Sequence, residues 1–227
     1  MTPTADCGAP FDGVRSAHRW RSNGELLAAV ASIGYLRLDA DIVLDPTYGR
    51  GLWWTHVRPA RLITHDIALD GVDFRSLPES SASVDVVAFD PPYVCGRRTL
   101  DNGVNERFRT RYSGGAPGNR HDLVDLVEGG VSESARVTRR GGIVLLKCQP
   151  FQNGKRDFVH MPSVVIAAAR EHGLRLEDEL IHVRPSGPAK TATFNGVRSA
   201  HSVLLVFSKR AAIRKRATLS PNDGSRS

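Results

Sequence analysis

Short β-branched runs alternate with segments of helical periodicity along most of this chain, and that alternation restricts the fold more than any other feature. The runs "DIVLD", "RLITHDI", "GVDFRSL", "SVDVVAFD", "GGIVLLKCQP", "RLEDELIHVRP" and "HSVLLVFSK" read as strands. Between them, "NGELLAAVASIGYL" places Leu26, Leu27, Val30, Ile33 and Leu36 at helical spacing, and "MPSVVIAAAREHG" is a helix closed by Gly173. "LWWTHVRPA" is a weaker helix, and "HDLVDLVEGGVSESARVT" is a helix interrupted near Gly129. Strands separated by helices predict an α/β fold with a mainly parallel sheet covered on both faces.

The expected organisation is an irregular segment over 1–24, one globular domain over 25–209, and a basic, low-complexity, disordered tail over 210–227. Within the domain, 94–120 is polar and glycine-rich without periodicity, long enough to suggest a functional loop. A hydrophobic fraction of 41% is enough for an ordinary core. The three cysteines, Cys7, Cys95 and Cys148, are far apart and lack C-x-x-C spacing, as expected of reduced thiols in a cytoplasmic protein. No apolar run has membrane-span length, so a membrane role is not expected. Net charge is +7 and the pI about 9.8, which favours a polyanionic partner.

In doubly wound sheets, ligands bind beyond the carboxyl ends of the strands, near the point where strand order reverses. This chain's unusual residues fall at such ends. In "DPTYGRG", Gly49 and Gly51 allow a tight turn and close backbone approach, with Asp45 as an acceptor and Thr47 in the same loop. Trp54 stands where a dinucleotide motif would have its third glycine, which weakens a nicotinamide reading. Asp66 ends the second strand, where a carboxylate can accept ribose hydroxyls, and Asp73, followed by Phe74, sits within reach of an adenine amine. Their order along the chain suggests an adenosine-containing cofactor.

The most specific stretch is "DPPY". Pro91 and Pro92 have fixed φ and no N–H, and each holds the preceding residue extended, so the segment is a rigid prong. Asp90 and the Pro91 carbonyl supply two acceptors and Tyr93 a stacking ring, a combination selective for an exocyclic amine on an aromatic base.

With "DPTYGRG" preceding "DPPY" and the β-rich end "HSVLLVFSK", the chain resembles the S-adenosylmethionine-dependent DPPY amino-methyltransferases, which include the DNA adenine-N6 and cytosine-N4 enzymes. The likeness covers roughly residues 25 to 209. It implies a Rossmann-like class I methyltransferase fold with seven strands. It further implies that Asp45, Thr47, Gly49, Gly51, Asp66, Asp73 and Phe74 bind S-adenosylmethionine, and that Asp90, Pro91, Pro92 and Tyr93 hold the target base. Two departures stand out: Thr47 and Arg50 occupy positions where many relatives show Phe and Ser, and a large separate recognition domain is not expected within these 227 residues.

DNA is the expected partner, with adenine N6 ahead of cytosine N4. An RNA amino-methyltransferase acting on guanine N2 or adenine N6, or a non-catalytic nucleic-acid-binding subunit, is the alternative. A duplex target would have to be flipped out. Arg97, Arg98, Arg107, Arg109 and Arg111 in the polar loop are the candidate phosphate contacts. Lys147, Gln149, His182 and Asn195 are secondary groove candidates, Cys148 reads as structural, and the histidines lack metal-ligand spacing, so no metal is assigned.

Overall fold

The computed structural model describes residues 20–93, 117, 119–153, 157–183 and 201–210. The expected irregular start, the disordered tail, the loop arginines Arg97, Arg98, Arg107, Arg109 and Arg111, and Asn195 lie outside the described residues or almost entirely so.

The first helix, α1 (Asn23–Ser32), begins where local chemistry predicts: the Ser22 side chain accepts from the Glu25 N–H at 3.1 Å, and Glu25 reaches back to the Arg21 N–H at 2.6 Å. Then follow β1 (Ile42–Asp45), a single 3-10 turn over Leu52–Trp54, β2 (Arg61–Thr64) and β3 (Val84–Phe89). The helix α2 (Arg120–Val137) starts on Asn119, whose side chain accepts from the N–H groups of His121 and Asp122. Next are β4 (Thr138–Cys148), a small hairpin of β5 (Phe151–Asn153) and β6 (Asp157–Val159), and α3 (Met161–Glu171). The chain then forms β7 (Leu174–Val183) and β8 (His201–Lys209).

Six strands form one sheet in the order β2-β1-β3-β4-β8-β7. β2, β1, β3 and β4 run parallel, while β8 is antiparallel to both β4 and β7. Five strands therefore share one direction, with β8 reversed. The side-chain alternation of each strand feeds two cores. Leu44, Val87, Phe89, Val144, Leu146 and Phe207 face α2 and α3, and Val43, Val86, Ala88, Leu145 and Leu204 face α1 and the tryptophan turn. This is the doubly wound, Rossmann-like α/β arrangement expected from the sequence.

Three local expectations differ from the structure. Residues 71–77, expected as a strand, form turns, so the described sheet has six strands where the resemblance implied seven. Gly71 has φ +78°, Asp73 accepts from the Arg75 N–H to close a turn, and Phe74 and Leu77 both point into the core. A strand would have turned successive side chains to opposite faces. The segment is instead held by Arg136, which donates to the Leu77 and Glu79 carbonyls, and by Glu133, which accepts from the Leu77 N–H.

Gly129 does not interrupt α2. The neighbouring Gly130 is buried against Phe89, where a Cβ would lie 2.3 Å from the ring, so the glycine permits close approach instead of breaking the helix. "LWWTHVRPA" contributes only the 3-10 turn Leu52–Trp54, whose two tryptophan side chains are committed to tertiary partners, Trp53 to Asp90 and Trp54 to Asp45. Among the described residues, no helix is long and apolar enough to cross a membrane.

Candidate active site

From β1 the chain crosses to β2 on one side and then to β3 on the other, so strand order reverses between β1 and β3. A cleft of about 210 Å³ opens at their carboxyl ends. Its lining comes from three sources: Asp45 to Arg50 after β1, Asp66 and Ile67 after β2, and Asp90 and Tyr93 after β3. Asn23 of α1, Leu52, Trp53 and Phe74 complete it.

The loop after β1 is held from two sides. The His65 N–H donates to the Asp45 carbonyl at 2.9 Å, and the Tyr48 N–H donates to the His65 carbonyl at 3.0 Å. Gly49, at φ +52°, turns its N–H to Asp66 Oδ2 at 3.0 Å. Gly51, at φ +67°, passes so close to Tyr48 that a Cβ would lie 2.6 Å from the phenol oxygen, so both glycines are required by geometry.

Asp45 is 3% exposed; Oδ1 accepts from the Thr47 N–H at 3.0 Å and Oδ2 from the Trp54 indole N–H at 2.8 Å. Burial pushes its carboxyl up to about 7, against the opposing pull of those hydrogen bonds, and the Asp90 charge adds to the rise. Asp66 accepts from the Ala68 N–H at 2.8 Å as well as from Gly49.

The prong after β3 is equally well anchored. Asp90 N–H donates to Thr47 Oγ1 at 2.9 Å, Tyr93 donates its hydroxyl proton to Asp90 Oδ1 at 2.7 Å, and the Trp53 indole N–H donates to Asp90 Oδ2 at 3.1 Å. Pro91 and Pro92 are buried. Phe74 sits edge-on to Phe89 with centroids 5.0 Å apart, so one ring belongs both to the cleft wall and to the core under the prong.

Of the sequence-predicted residues, Asp45, Thr47, Gly49, Asp66, Phe74, Asp90 and Tyr93 line one cleft. Asp73 does not line it: its carboxylate is ion-paired with Arg75 at 2.5 Å. Lys147 is buried at the end of β4 and donates to Asn23 Oδ1 at 2.8 Å. Cys148 is buried, and burial pushes its thiol up to about 12, which suits the structural role expected of it. Sequence reasoning missed Trp53 and Asn23. Two of the chain's three tryptophans follow the glycine turn directly, and that clustering was the available signal.

Three carboxylates line the cleft and the one basic group among its described lining residues, Arg50, is exposed. Such a lining suits a cationic ligand bearing hydroxyls and an amine, and opposes a pyrophosphate.

No family model and no curated protein matches the chain. It is similar in structure to a candidate DNA modification methylase from Thermus thermophilus complexed with S-adenosyl-L-methionine, at 16% identity over 64% of this chain, with a TM-score of 0.41. The chain spans 54% of that protein, about half its length. It is also similar to a candidate methyltransferase from Bacillus halodurans, at 14% identity over 83% of this chain and 100% of that one, with a TM-score of 0.47. A candidate RNA methyltransferase from Pyrococcus horikoshii aligns at 13% identity over 83% of each chain, with a TM-score of 0.45. Likenesses at these values assign the chain no activity.

Proposed function

We infer that the protein transfers a methyl group from S-adenosylmethionine to the exocyclic amine of a DNA base, adenine N6 ahead of cytosine N4. The observation that carries this reading is that one cleft is lined both by Asp90 and Tyr93 of the prong and by the acidic residues Asp45 and Asp66 at the ends of β1 and β2. When bound, S-adenosylmethionine supplies an electrophilic methyl group.

The residues divide the remaining work. Asp66 offers acceptor lone pairs to ribose hydroxyls, and Phe74 offers a flat apolar wall to adenine. Asp73 would first have to release Arg75 to join it. Asp45, ionised at neutral pH once a cation is bound nearby, offsets positive charge. Asp90 and the Pro91 carbonyl each accept one hydrogen of the amine, which aligns the nitrogen lone pair for in-line attack, while Tyr93 stacks on the base. Orientation is the main contribution, since the proton can leave after transfer. Pro92 keeps the prong rigid. The loop arginines Arg97, Arg98, Arg107, Arg109 and Arg111 would neutralise phosphates.

The test is transfer of labelled methyl to unmethylated duplex DNA and, separately, to unmodified RNA, with products digested to nucleosides for mass analysis. N6-methyldeoxyadenosine or N4-methyldeoxycytidine that disappears in Asp90→Ala supports the reading and selects the base. Label in RNA alone replaces DNA by RNA as substrate. Absence of cofactor binding overturns the enzyme reading.

A further inference from the structure

Two consecutive tryptophans, Trp53 in the cleft wall and Trp54 behind it, direct their indole N–H groups to different carboxylates of the cleft. Trp53 and Trp54 lie in the 3-10 turn after Gly51, where three residues make one turn and consecutive side chains project about 120° apart. Trp53 reaches Asp90 at 3.1 Å, and Trp54 reaches Asp45 at 2.8 Å. Both are nearly buried, at 5% and 6% exposure, and pack with Leu26, Leu27 and Val30 of α1. The turn is therefore part of the core, and both donors are fixed before any ligand arrives.

Thr47 joins the two carboxylates by a second route. Its hydroxyl accepts from the Asp90 N–H at 2.9 Å and lies 3.4 Å from Asp45 Oδ1 as a donor. A carboxylate bound by one donor can still rotate about its terminal torsion. With Tyr93 on Oδ1 and Trp53 on Oδ2, Asp90 is restrained at both oxygens, and each oxygen retains acceptor capacity in the cleft that Asp90 lines. Asp45 is restrained in the same way by Thr47 and Trp54.

We propose that Trp53 and Trp54 are positioning residues with separate duties, Trp53 holding Asp90 for the acceptor amine and Trp54 holding Asp45 for the cofactor, with Thr47 bridging the two subsites. The inference rests on the methyl-transfer reading of the cleft. Packing alone would make the two indoles interchangeable in effect. Their N–H bonds instead predict a crossed pattern.

The experiment measures S-adenosylmethionine affinity by calorimetry and kcat for methyl transfer to duplex DNA at saturating cofactor. Trp53→Phe is expected to lower kcat about tenfold or more while leaving the cofactor Kd within about threefold. Trp54→Phe is expected to do the reverse, weakening cofactor about tenfold or more with kcat within about threefold. Thr47→Val should impair both, and Thr47→Ser should restore both. If Phe leaves a cavity that prevents folding, 3-benzothienylalanine at the single position keeps the ring shape and removes the N–H. Equal losses in both parameters for both variants, or no loss in either, overturn the proposal while wild-type transfer stands. Wild-type protein that neither binds nor transfers removes the reading of the cleft itself, and the proposal with it.

Discussion

Gly130 of α2 lies so close over the ring of Phe89 that a methyl group on its Cα would sit 2.3 Å from Phe89 Cζ. Phe89 is fully buried and directly precedes Asp90, so this contact seats the base of the prong on the helix. Gly130→Ala gains about 1 kcal/mol of helix propensity but forces overpacking worth about 1–3 kcal/mol. A net loss of thermal stability is expected. Gly129→Ala is the control, because its Cβ would meet the flexible Arg75 side chain at 3.2 Å, and it should be neutral or stabilising in the same melt.

Asp45 makes stability fall as pH rises. Its folded pKa lies near 7, above the ordinary 3.8, so the folded state holds the proton more tightly. The stability this contributes is fully present below about pH 4 and is lost as pH rises through about 7. Melting temperatures of wild type and Asp45→Asn across about pH 5 to 8 should therefore diverge in favour of the variant as pH increases. On the proposed reading Asp45 serves a cationic cofactor as the ionised carboxylate, so wild-type S-adenosylmethionine affinity should strengthen over the same interval.

His65 is gripped at both ring nitrogens, Nδ1 by Asp70 at 2.7 Å and Nε2 by Glu79 at 2.9 Å. Burial lowers its pKa, but the hydrogen bonds and charges of the two carboxylates outweigh burial and hold it above 6.5. Stability from this cluster is thus complete below about pH 6.5 and is lost as pH rises through the folded value. Histidine NMR titration should find His65 above its ordinary value, and Asp70→Asn should bring it down. Asp70 Oδ1 also accepts from the Asp66 N–H at 3.1 Å, so the same variant should loosen the turn that carries Asp66.

The proposed function gives Tyr93 two separable duties. Tyr93→Phe keeps the stacking ring and removes the 2.7 Å bond to Asp90, so kcat should fall about tenfold. Tyr93→Ala also removes stacking worth about 1–3 kcal/mol per base, so its loss should be greater and appear in DNA affinity as well. Steady-state kinetics on duplex DNA separates the two.

The Cys148 thiol should resist alkylation. It is buried, and burial, with smaller contributions from the Glu179 and Asp90 charges, pushes its pKa up to about 12. Iodoacetamide at neutral pH, followed by peptide mapping, should leave Cys148 unmodified until the protein is unfolded.

The strands at 84–89, 138–148, 174–183 and 201–209 and the helices running on from Asn23, His121 and Met161 were legible in the sequence because each depends on neighbours a few residues away. Periodicity, caps and prolines act at that range, and so does the strand-end position of Asp45, Asp66 and Asp90. What tertiary structure decided lies in contacts between distant residues. Gly130 reads as a helix break until Phe89, far earlier in the chain, is placed beneath it. Residues 71–77 have a strand-like pattern, yet the core claims both Phe74 and Leu77, and Arg136 and Glu133 on α2 bind the turn. Trp53 and Asp90 are 37 residues apart, Thr47 and Asp90 are 43, and Lys147 and Asn23 are 124. Local sequence set which residues stand at the strand ends, but only close packing of the two layers on the sheet selected which donor meets which carboxylate, because buried polar groups must find partners wherever the fold brings them.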